Sequence, residues 1–302
     1  MTIDFPCNFP NVDDMFEIVR KTEEISWKSG LDERTIDEWL GNYNGSVFSA
    51  ENERRLALWL LCNYTYFSPV DLNYLCKILY SRFVHDYVLR NQIPFHRIVD
   101  ELKSLCFASI GSASESGGLI LYHFRQEANL SVDRFFYPTD LPQDETCTVV
   151  FIDDVTLSGG TAAKNYYKVL QEKKYKNVYY LTIAASKEAT KKLEDFGIIV
   201  ISCIHVDERN QCFSELSTIF NQFPSLRAPS KLLAEEYGKN IITGNEEPLG
   251  YKNGQYCFGF YYNTPNNTLP IFWSDHNWTP IFPRKEKLQN AKQLKFQTTR
   301  FI

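Results

Sequence analysis

The segment from Val149 to Leu170 reads "VVFIDDVTLSGGTAAKNYYKVL" and carries the clearest structural pattern of the sequence. Four apolar residues are followed at once by two acids, Asp153 and Asp154, then by a run of small residues and a helical pattern. A short apolar run rich in valine predicts a buried strand, and the small residues predict a turn into a helix. Because the first amides of a helix have no internal partner, we expect the turn to attract an anion.

The segments around this stretch alternate between strand-like and helical patterns. The strand-like ones read "SLCFASI", "SVDRFFY", "CTVVFI", "NVYYLTIAA" and "IIVISCIHV". Alternation of this kind favours a parallel sheet covered by helices on both faces. We therefore predict a doubly wound α/β core in residues 99–208, after a helical N-terminal lobe in residues 1–98. Residues 209–302 would add further helices, an aromatic segment and a basic tail.

Composition indicates the general class of protein. The chain has 302 residues, 44% of them hydrophobic, with a formal net charge of −5. This length can bury a full core, and the charge gives no general attraction to nucleic acid or to an anionic membrane. The eight cysteines are scattered, never in a C-x-x-C pair, which is typical of reduced core thiols. With no run of about 18 apolar residues, we expect a soluble cytoplasmic protein without a membrane partner.

The end of the predicted strand is the candidate binding site, because ligands of open parallel sheets bind beyond the carboxyl ends of the strands. Small side chains and free amides there suit a phosphate group. The predicted phosphate-binding residues are Thr156, Ser158, Gly159, Gly160 and Thr161. The carboxylates of Asp153 and Asp154 suit sugar hydroxyls, or a Mg²⁺ ion held through water. An ordinary strand-to-helix turn with exposed acids is the alternative.

The 13 residues "VVFIDDVTLSGGT" resemble the phosphoribosyl-pyrophosphate binding motif of type I phosphoribosyltransferases. The resemblance implies that Asp153 and Asp154 are catalytic-site acids that face the ribose hydroxyls, and that the small-residue loop holds the 5′-phosphate. It implies phosphoribosyl pyrophosphate or a nucleotide as the ligand and Mg²⁺ as the cofactor.

The same family places a pyrophosphate-binding loop after the first core strand, and "FASIGSASESGGLI" occupies that place. The corresponding loop residues here are Gly111, Ser112, Ser114, Ser116 and Gly117. Two departures from the family pattern matter. Glu115 would repel pyrophosphate, and Leu157 stands where purine-salvage enzymes carry an acid, so no side chain there can act as a general acid or base. A plain Ser/Gly turn remains the alternative for the first loop.

An aromatic segment near the C-terminus, "FGFYYNTPNNTLPIFW", is the candidate hood over the acceptor base. Its stacking rings and amides could read a base edge. The predicted hood residues are Tyr261, Asn263, Asn266, Asn267 and Trp273. An aromatic core strand followed by a Pro-Asn turn is the alternative.

Together with "ENERRLALWLLCNYTYFSPVDLNYLCKILYSRFVH", the ending "YYNTPNNTLPIFW" resembles the PRTase-CE family of bacterial conflict systems. That resemblance implies an effector of anti-phage defence, with a reverse transcriptase and its RNA–DNA hybrid as partners in a retron-type locus.

Two arginines and the C-terminal tail are the candidate sources of positive charge near the site. Arg82 or Arg97 could supply the cation that the first loop lacks. The tail from Pro283 to Ile302 carries six basic residues against one acid, which indicates either an arm for nucleic acid or a segment that folds back on the protein.

Three hypotheses for function follow. The first is a Mg²⁺-dependent glycosyltransferase, or a related nucleotide-cleaving enzyme, that acts as a toxic defence effector. The second is a non-catalytic nucleotide sensor that keeps the ribose-phosphate site. The third is a scaffold with a vestigial pocket, against which the intact pair Asp153 and Asp154 argues.

Overall fold

A computed structural model describes residues 3–110, 116–142, 144–160, 162–164, 174–244 and 246–284. The chain forms two compact units. The terminal unit combines Met1–Tyr66 with Ser225–Ile302, and the central unit comprises Phe67–Pro224.

The central unit contains a five-stranded sheet in which every strand pair is parallel. Its strand order is β3-β2-β4-β5-β6. The strands are β2 (Cys106–Ser109), β3 (Phe135–Phe136), β4 (Thr148–Thr156), β5 (Asn177–Ser186) and β6 (Ile199–Val206). The helices are α4 (Pro69–Arg90), α5 (Ile98–Lys103), α6 (Ser116–Glu127) and α7 (Lys187–Glu194). The predicted doubly wound α/β core is confirmed.

Both faces of this sheet are buried, as the continuous apolar strands require. One face packs against α4 and α6, where Phe83 and Phe124 contact Phe107 of β2. The other face contributes Val149 and Tyr180 to a cluster that includes Leu193 of α7. Successive residues of β5 therefore point to opposite layers, as the two-residue period of a strand dictates.

The terminal unit is mainly helical. Its helices are α1 (Val12–Thr22), a π-helical turn (Glu23–Trp27), α2 (Glu33–Leu40), α3 (Ala50–Cys62), α8 (Arg227–Ile241) and the short α9 (Pro270–Trp273). Strands β1 (Thr65–Phe67) and β7 (Phe258–Phe260) form a two-stranded sheet. Its core is aromatic: Trp39 stacks on Phe272 with ring centroids 5.7 Å apart and donates its indole N–H to the Ile271 carbonyl at 2.7 Å.

The packing of helix α4 assigns it to the sheet of the central unit. Helix α4, expected in the N-terminal lobe, packs on α6, β5 and β6, and the segments before and after the central unit join into one body. Helical periodicity predicts which face of α4 is apolar, but it does not identify the element that covers that face.

None of the helices in the described part of the chain is both long enough and apolar enough to cross a membrane.

Candidate functional site

Asp153 and Asp154 lie near the carboxyl end of β4, within the strand and not in the loop that follows it. The Asp154 amide donates to Oδ1 of Asp153 at 2.9 Å, and the Val155 amide donates to Oδ1 of Asp154 at 2.7 Å. Thr182 of β5 donates its hydroxyl to the Asp154 carbonyl at 2.8 Å. Both carboxylates are therefore oriented by the backbone that follows them.

Tyr180 of the neighbouring strand completes the contacts of Asp153. Its hydroxyl donates to Oδ2 of Asp153 at 2.7 Å, while the ring is 1% exposed in the cluster between the sheet and α7. In the strand register Tyr180 pairs with Phe151, so the side chain reaches two residues along β4. Sequence analysis missed this contact, because it depends on the register of two strands.

The environment of Asp153 favours its neutral form. Burial, and next the neighbouring Asp154 carboxylate, raise its pKa well above the ordinary value, although the hydrogen bond from Tyr180 acts in the opposite direction. Burial and the nearness of Asp153 also raise the pKa of Tyr180. The site thus favours a protonated Asp153.

The predicted phosphate loop follows directly. Ser158 accepts a hydrogen bond from the Gly160 amide on its hydroxyl at 3.3 Å, and the Ala163 amide donates to the Gly159 carbonyl at 2.9 Å. The chain is helical at 160 and from 162 to 164. The expected turn into a helix is present, although Thr161 and most of the following predicted helix lie outside the described residues.

The loop is fixed to the next strand and helix. Ser186, at the end of β5, donates its hydroxyl to the Leu157 carbonyl at 2.6 Å and accepts from the Ala189 amide at 3.0 Å. This one side chain caps α7 and holds the loop. Leu157 and Thr156 are both buried, at 8% and 5% exposure. Thr156, a predicted phosphate contact, therefore lies largely within the protein.

The two loop glycines differ. Gly159 has a φ of +62°, and a Cβ there would lie 3.2 Å from the Ala189 Cα. Its φ and this close approach to α7 both require glycine. A Cβ at Gly160 would meet only the Ser158 hydroxyl, at 3.4 Å. Gly160 is therefore the position where a side chain could enter the binding region without disturbing the fold.

A lysine lies beside this loop. The Cδ of Lys192, on α7, is 3.3 Å from the position that a Cβ of Gly159 would occupy. The arginines suggested by sequence are used elsewhere: Arg82 donates to the Ser202 carbonyl at 2.6 Å, and Arg97 forms an ion pair with Glu101 at 2.8 Å. The packing of α7 therefore places the side chain of Lys192, a cation, next to the loop.

Only the end of the predicted pyrophosphate loop is described. Gly111, Ser112 and Ser114, like Glu115, lie outside the described residues, whereas Ser116 and Gly117 begin α6. A Cβ on Gly117 would lie 2.5 Å from the Ile110 carbonyl oxygen and 3.6 Å from Oδ1 of Asp153. The start of α6 therefore approaches the acid pair, and the first distance requires glycine.

The predicted hood residues belong to the terminal unit. Trp273 is 6% exposed, and its indole N–H donates to the Thr268 carbonyl at 2.8 Å. Asn267 donates its amide to the Tyr251 carbonyl at 2.9 Å, and Asn263 accepts from the Thr264 amide at 3.0 Å. The backbone carbonyl of Asn266 accepts from the Tyr251 amide.

Tyr261 and Asn263 line a cavity of about 220 Å³ inside the terminal unit. Three of the five predicted hood side chains make hydrogen bonds within the terminal unit. They are the side chains of Trp273, Asn267 and Asn263. The base-reading role of the segment stays a prediction.

The described residues include side chains of the types that hold metal ions in proteins. Within the described ranges, no three His, Cys, Asp or Glu side chains are grouped to hold a metal ion. Mg²⁺ usually keeps several waters and takes one or two carboxylates together with substrate phosphates. The acid pair fits that case, with Asp154 the better donor because Asp153 favours its protonated form.

Comparison with known proteins decides the family. The PRTase-CE family model matches residues 36–284, most of the chain. The chain belongs to the PRTase-CE family. This match includes the acid pair, the phosphate loop and the aromatic segment, and it confirms the phosphoribosyltransferase-like family predicted from sequence. No curated protein matches the chain.

Two solved structures match the chain with low sequence identity and low TM-scores. The orotate phosphoribosyltransferase from Aeropyrum pernix is 19% identical with a TM-score of 0.28, covering 41% of this chain and 66% of that one. The UMP synthase of Leishmania donovani is 13% identical with a TM-score of 0.34, covering 70% of this chain and 44% of that one. The chain thus spans less than two thirds of the length of each. The parallel sheet and the family match identify this PRTase-CE protein as phosphoribosyltransferase-like.

Proposed function

We propose that this PRTase-CE protein binds the ribose-5-phosphate part of phosphoribosyl pyrophosphate or of a nucleotide at the carboxyl end of β4. The observation that carries the proposal is the position of Asp153 and Asp154 near the carboxyl end of β4, two residues before a small-residue loop where a helix begins. Parallel sheets bind ligands at this edge, and helix starts bind phosphate.

The residues of the proposed site have the following roles. Asp154 and Asp153 accept hydrogen bonds from the vicinal ribose hydroxyls. The Gly160 amide, bonded to Ser158 without ligand, turns to the 5′-phosphate, and the Ser158 hydroxyl becomes a donor to the same group. Lys192 supplies positive charge beside the loop. Mg²⁺, when bound with the ligand, would offset the negative charge of the phosphate oxygens.

The proposed chemistry is substitution at C1 of the ribose. The bond from C1 to its leaving group breaks as a bond to the acceptor forms, through an oxocarbenium-like state. The phosphate contacts and the ribose contacts hold the sugar in place, so that only C1 needs to move. Leu157 offers no proton-transferring group, so the acceptor must carry its own nucleophile or lose its proton to another group.

The buried Leu157 also favours a second candidate, a nucleotide sensor that keeps the ribose-phosphate site without transfer chemistry. We propose, from the family resemblance, that either activity serves an anti-phage defence effector partnered by a reverse transcriptase and an RNA–DNA hybrid. The basic tail proposed to contact such a partner begins at Pro283, and all of it after Arg284 lies outside the described residues.

The test is incubation of the purified protein with phosphoribosyl pyrophosphate, a panel of nucleotides and RNAs, with and without Mg²⁺, followed by mass spectrometry. New glycosidic products or released base would support the enzyme. Saturable binding without turnover would select the sensor. Absence of binding to every 5′-phosphorylated compound would contradict both.

Lys192 can be tested separately. Lys192→Met should weaken binding of 5′-phosphorylated ligands by about tenfold, since a charge-assisted hydrogen bond contributes roughly 1.5–3 kcal/mol. Lys191→Met, on the exposed neighbour, is the matched control. Equal affinities for the two variants would remove Lys192 from the site without affecting the assignment of the acid pair.

A further inference from the structure

Two cysteines of the central unit lie close together, away from the proposed ligand site. Cys106 begins β2, and Cys147 lies one residue before β4. Their Sγ atoms are 3.2 Å apart. In the register of the parallel pair Cys106 faces Val149, so the two sulfurs meet diagonally at the end where both strands begin. The acid pair is at the opposite end of β4.

The two thiols differ in the hydrogen bond between them, because one donates and the other accepts, and therefore in their pKa. The Cys147 thiol donates to the Cys106 sulfur, and Arg134 lies nearby, where its guanidinium donates to the carbonyl of Leu105, the residue before Cys106, at 3.4 Å. The hydrogen bond from Cys147, and with a smaller effect the Arg134 charge, lowers the pKa of Cys106. The same contact raises the pKa of Cys147. Cys106 is therefore the thiol that more readily becomes the reactive thiolate.

Access to the pair comes from the side of Cys147. Cys106 is 7% exposed, and Cys147 is only half-buried. The sulfurs lie at the amino-terminal end of the sheet rather than in its middle, since both strands begin there. Two thiols in contact, one of them favoured as thiolate and one reachable from solvent, form a nucleophile and a resolving partner.

We propose that Cys106 and Cys147 are a redox modification site that forms a reversible disulfide with a peroxide as oxidant. The Cys106 thiolate attacks one peroxide oxygen, the O–O bond breaks, and the other oxygen leaves as hydroxide, which is protonated to water. The sulfenic acid formed on Cys106 is then attacked by the Cys147 sulfur. The S–O bond breaks, a second water leaves with the Cys147 proton, and the S–S bond forms.

Such a bond would join the beginnings of two adjacent strands. It would close a ring that contains β2, α6 and β3, the elements between Cys106 and Cys147. Closing a ring restricts the unfolded chain, so the oxidised protein should unfold at a higher temperature than the reduced one. A dithiol reductant should reverse the difference.

The experiment treats the full chain with hydrogen peroxide, alkylates the remaining thiols with iodoacetamide, and maps peptides by mass spectrometry. We expect a linked pair of peptides containing Cys106 and Cys147, lighter by roughly 2 Da than the sum of the two thiol forms, which dithiothreitol separates. The oxidised protein should melt several degrees higher than the reduced protein.

Cys7 is exposed and provides the control, because its oxidation shows that the peroxide has acted on the protein. Cys7→Ser should leave the cross-link and the melting shift unchanged, whereas Cys147→Ser should abolish both. The proposal fails if Cys7 is fully oxidised while Cys106 and Cys147 are still alkylated, or if the cross-link forms only in denaturant. The peptide map of the unaltered chain decides the matter even if the Cys147 variant folds poorly.

Discussion

The Tyr180 hydroxyl donates a 2.7 Å hydrogen bond to Asp153. The two residues lie on adjacent strands, and the bond holds one acid of the pair in a place where burial favours its protonated form. Tyr180 is thus a positioning residue: it does not face the proposed ligand, but it sets the orientation and the charge of a residue that does.

Tyr180→Phe should change the pH dependence of ligand binding. The Tyr180 hydrogen bond lowers the pKa of Asp153, so its loss should raise that pKa further, and binding that needs the ionised acid should begin at a higher pH. The free energy of unfolding should fall by about 1 kcal/mol. Calorimetric titration with a 5′-phosphorylated ligand across pH measures the shift.

Tyr179→Phe is the matched control for that experiment. Tyr179 is the neighbouring residue of β5, faces the other layer and donates to Asp86 at 3.1 Å. Its replacement should cost a similar free energy of unfolding without moving the pH midpoint of binding. Identical midpoints in the two variants would contradict the positioning role of Tyr180.

Asp153→Asn should stabilise the protein at neutral pH while abolishing the proposed function. Because the folded-state pKa of Asp153 is raised, the folded protein retains a proton that the unfolded chain releases above about pH 4. Stability from this group is complete below that pH and is lost as the pH rises through the folded pKa. The neutral amide removes this loss, so the melting temperature at pH 7 should rise by a few degrees, on the order of 1 kcal/mol.

Thermal unfolding at pH 4 and pH 7 tests the sign. The difference between Asp153→Asn and the unaltered protein should shrink toward pH 4. Asp195→Asn, at an exposed position of the same unit, should show no such pattern. A destabilised Asp153→Asn at pH 7 would show that the carboxylate is favoured in the folded state.

Much of the central unit could be predicted because its signals are local. The apolar run before Asp153 and the small residues after Thr156 identify a strand and a turn without knowledge of their neighbours. The sequence also predicted a role for glycine at Gly159, but the reason for it differs from the one that the structure shows. Sequence assigned it to phosphate approach, whereas its φ and its contact with Ala189 show a requirement of the backbone itself.

What sequence could not predict depends on packing between distant segments. Tyr180 and Lys192 reach the site through strand register and helix placement, which no local pattern encodes. The aromatic segment was ambiguous for the same reason. The buried hydrogen bond of Trp273 shows that it also forms the core of the terminal unit.

The loop glycines should separate stability from binding. Gly159→Ala should lower the free energy of unfolding by about 1 kcal/mol or more, because alanine is strained at a φ of +62° and would press on Ala189. Gly160→Ala should change stability little. Gly160→Asp should fold yet abolish binding of 5′-phosphorylated ligands, because its carboxylate would repel the phosphate. Unchanged affinity in Gly160→Asp would contradict the phosphate site.

Loss of the Glu53 side chain should strongly destabilise the terminal unit. This side chain is fully buried in α3, where its carboxylate accepts three backbone N–H groups at 2.7–2.9 Å and the Tyr237 hydroxyl at 2.6 Å. The three amides, those of Gly45, Val47 and Phe48, hold the loop before α3. Glu53→Ala would leave them without a partner, at roughly 1–3 kcal/mol for each buried group, so urea unfolding should show a loss of about 3 kcal/mol or more. Tyr237→Phe removes one of the four bonds of Glu53 together with the acceptor of the Asn44 amide, and should cost about 1–2 kcal/mol. Equal losses in the two variants would show that water replaces the carboxylate, and that the loop does not depend on Glu53.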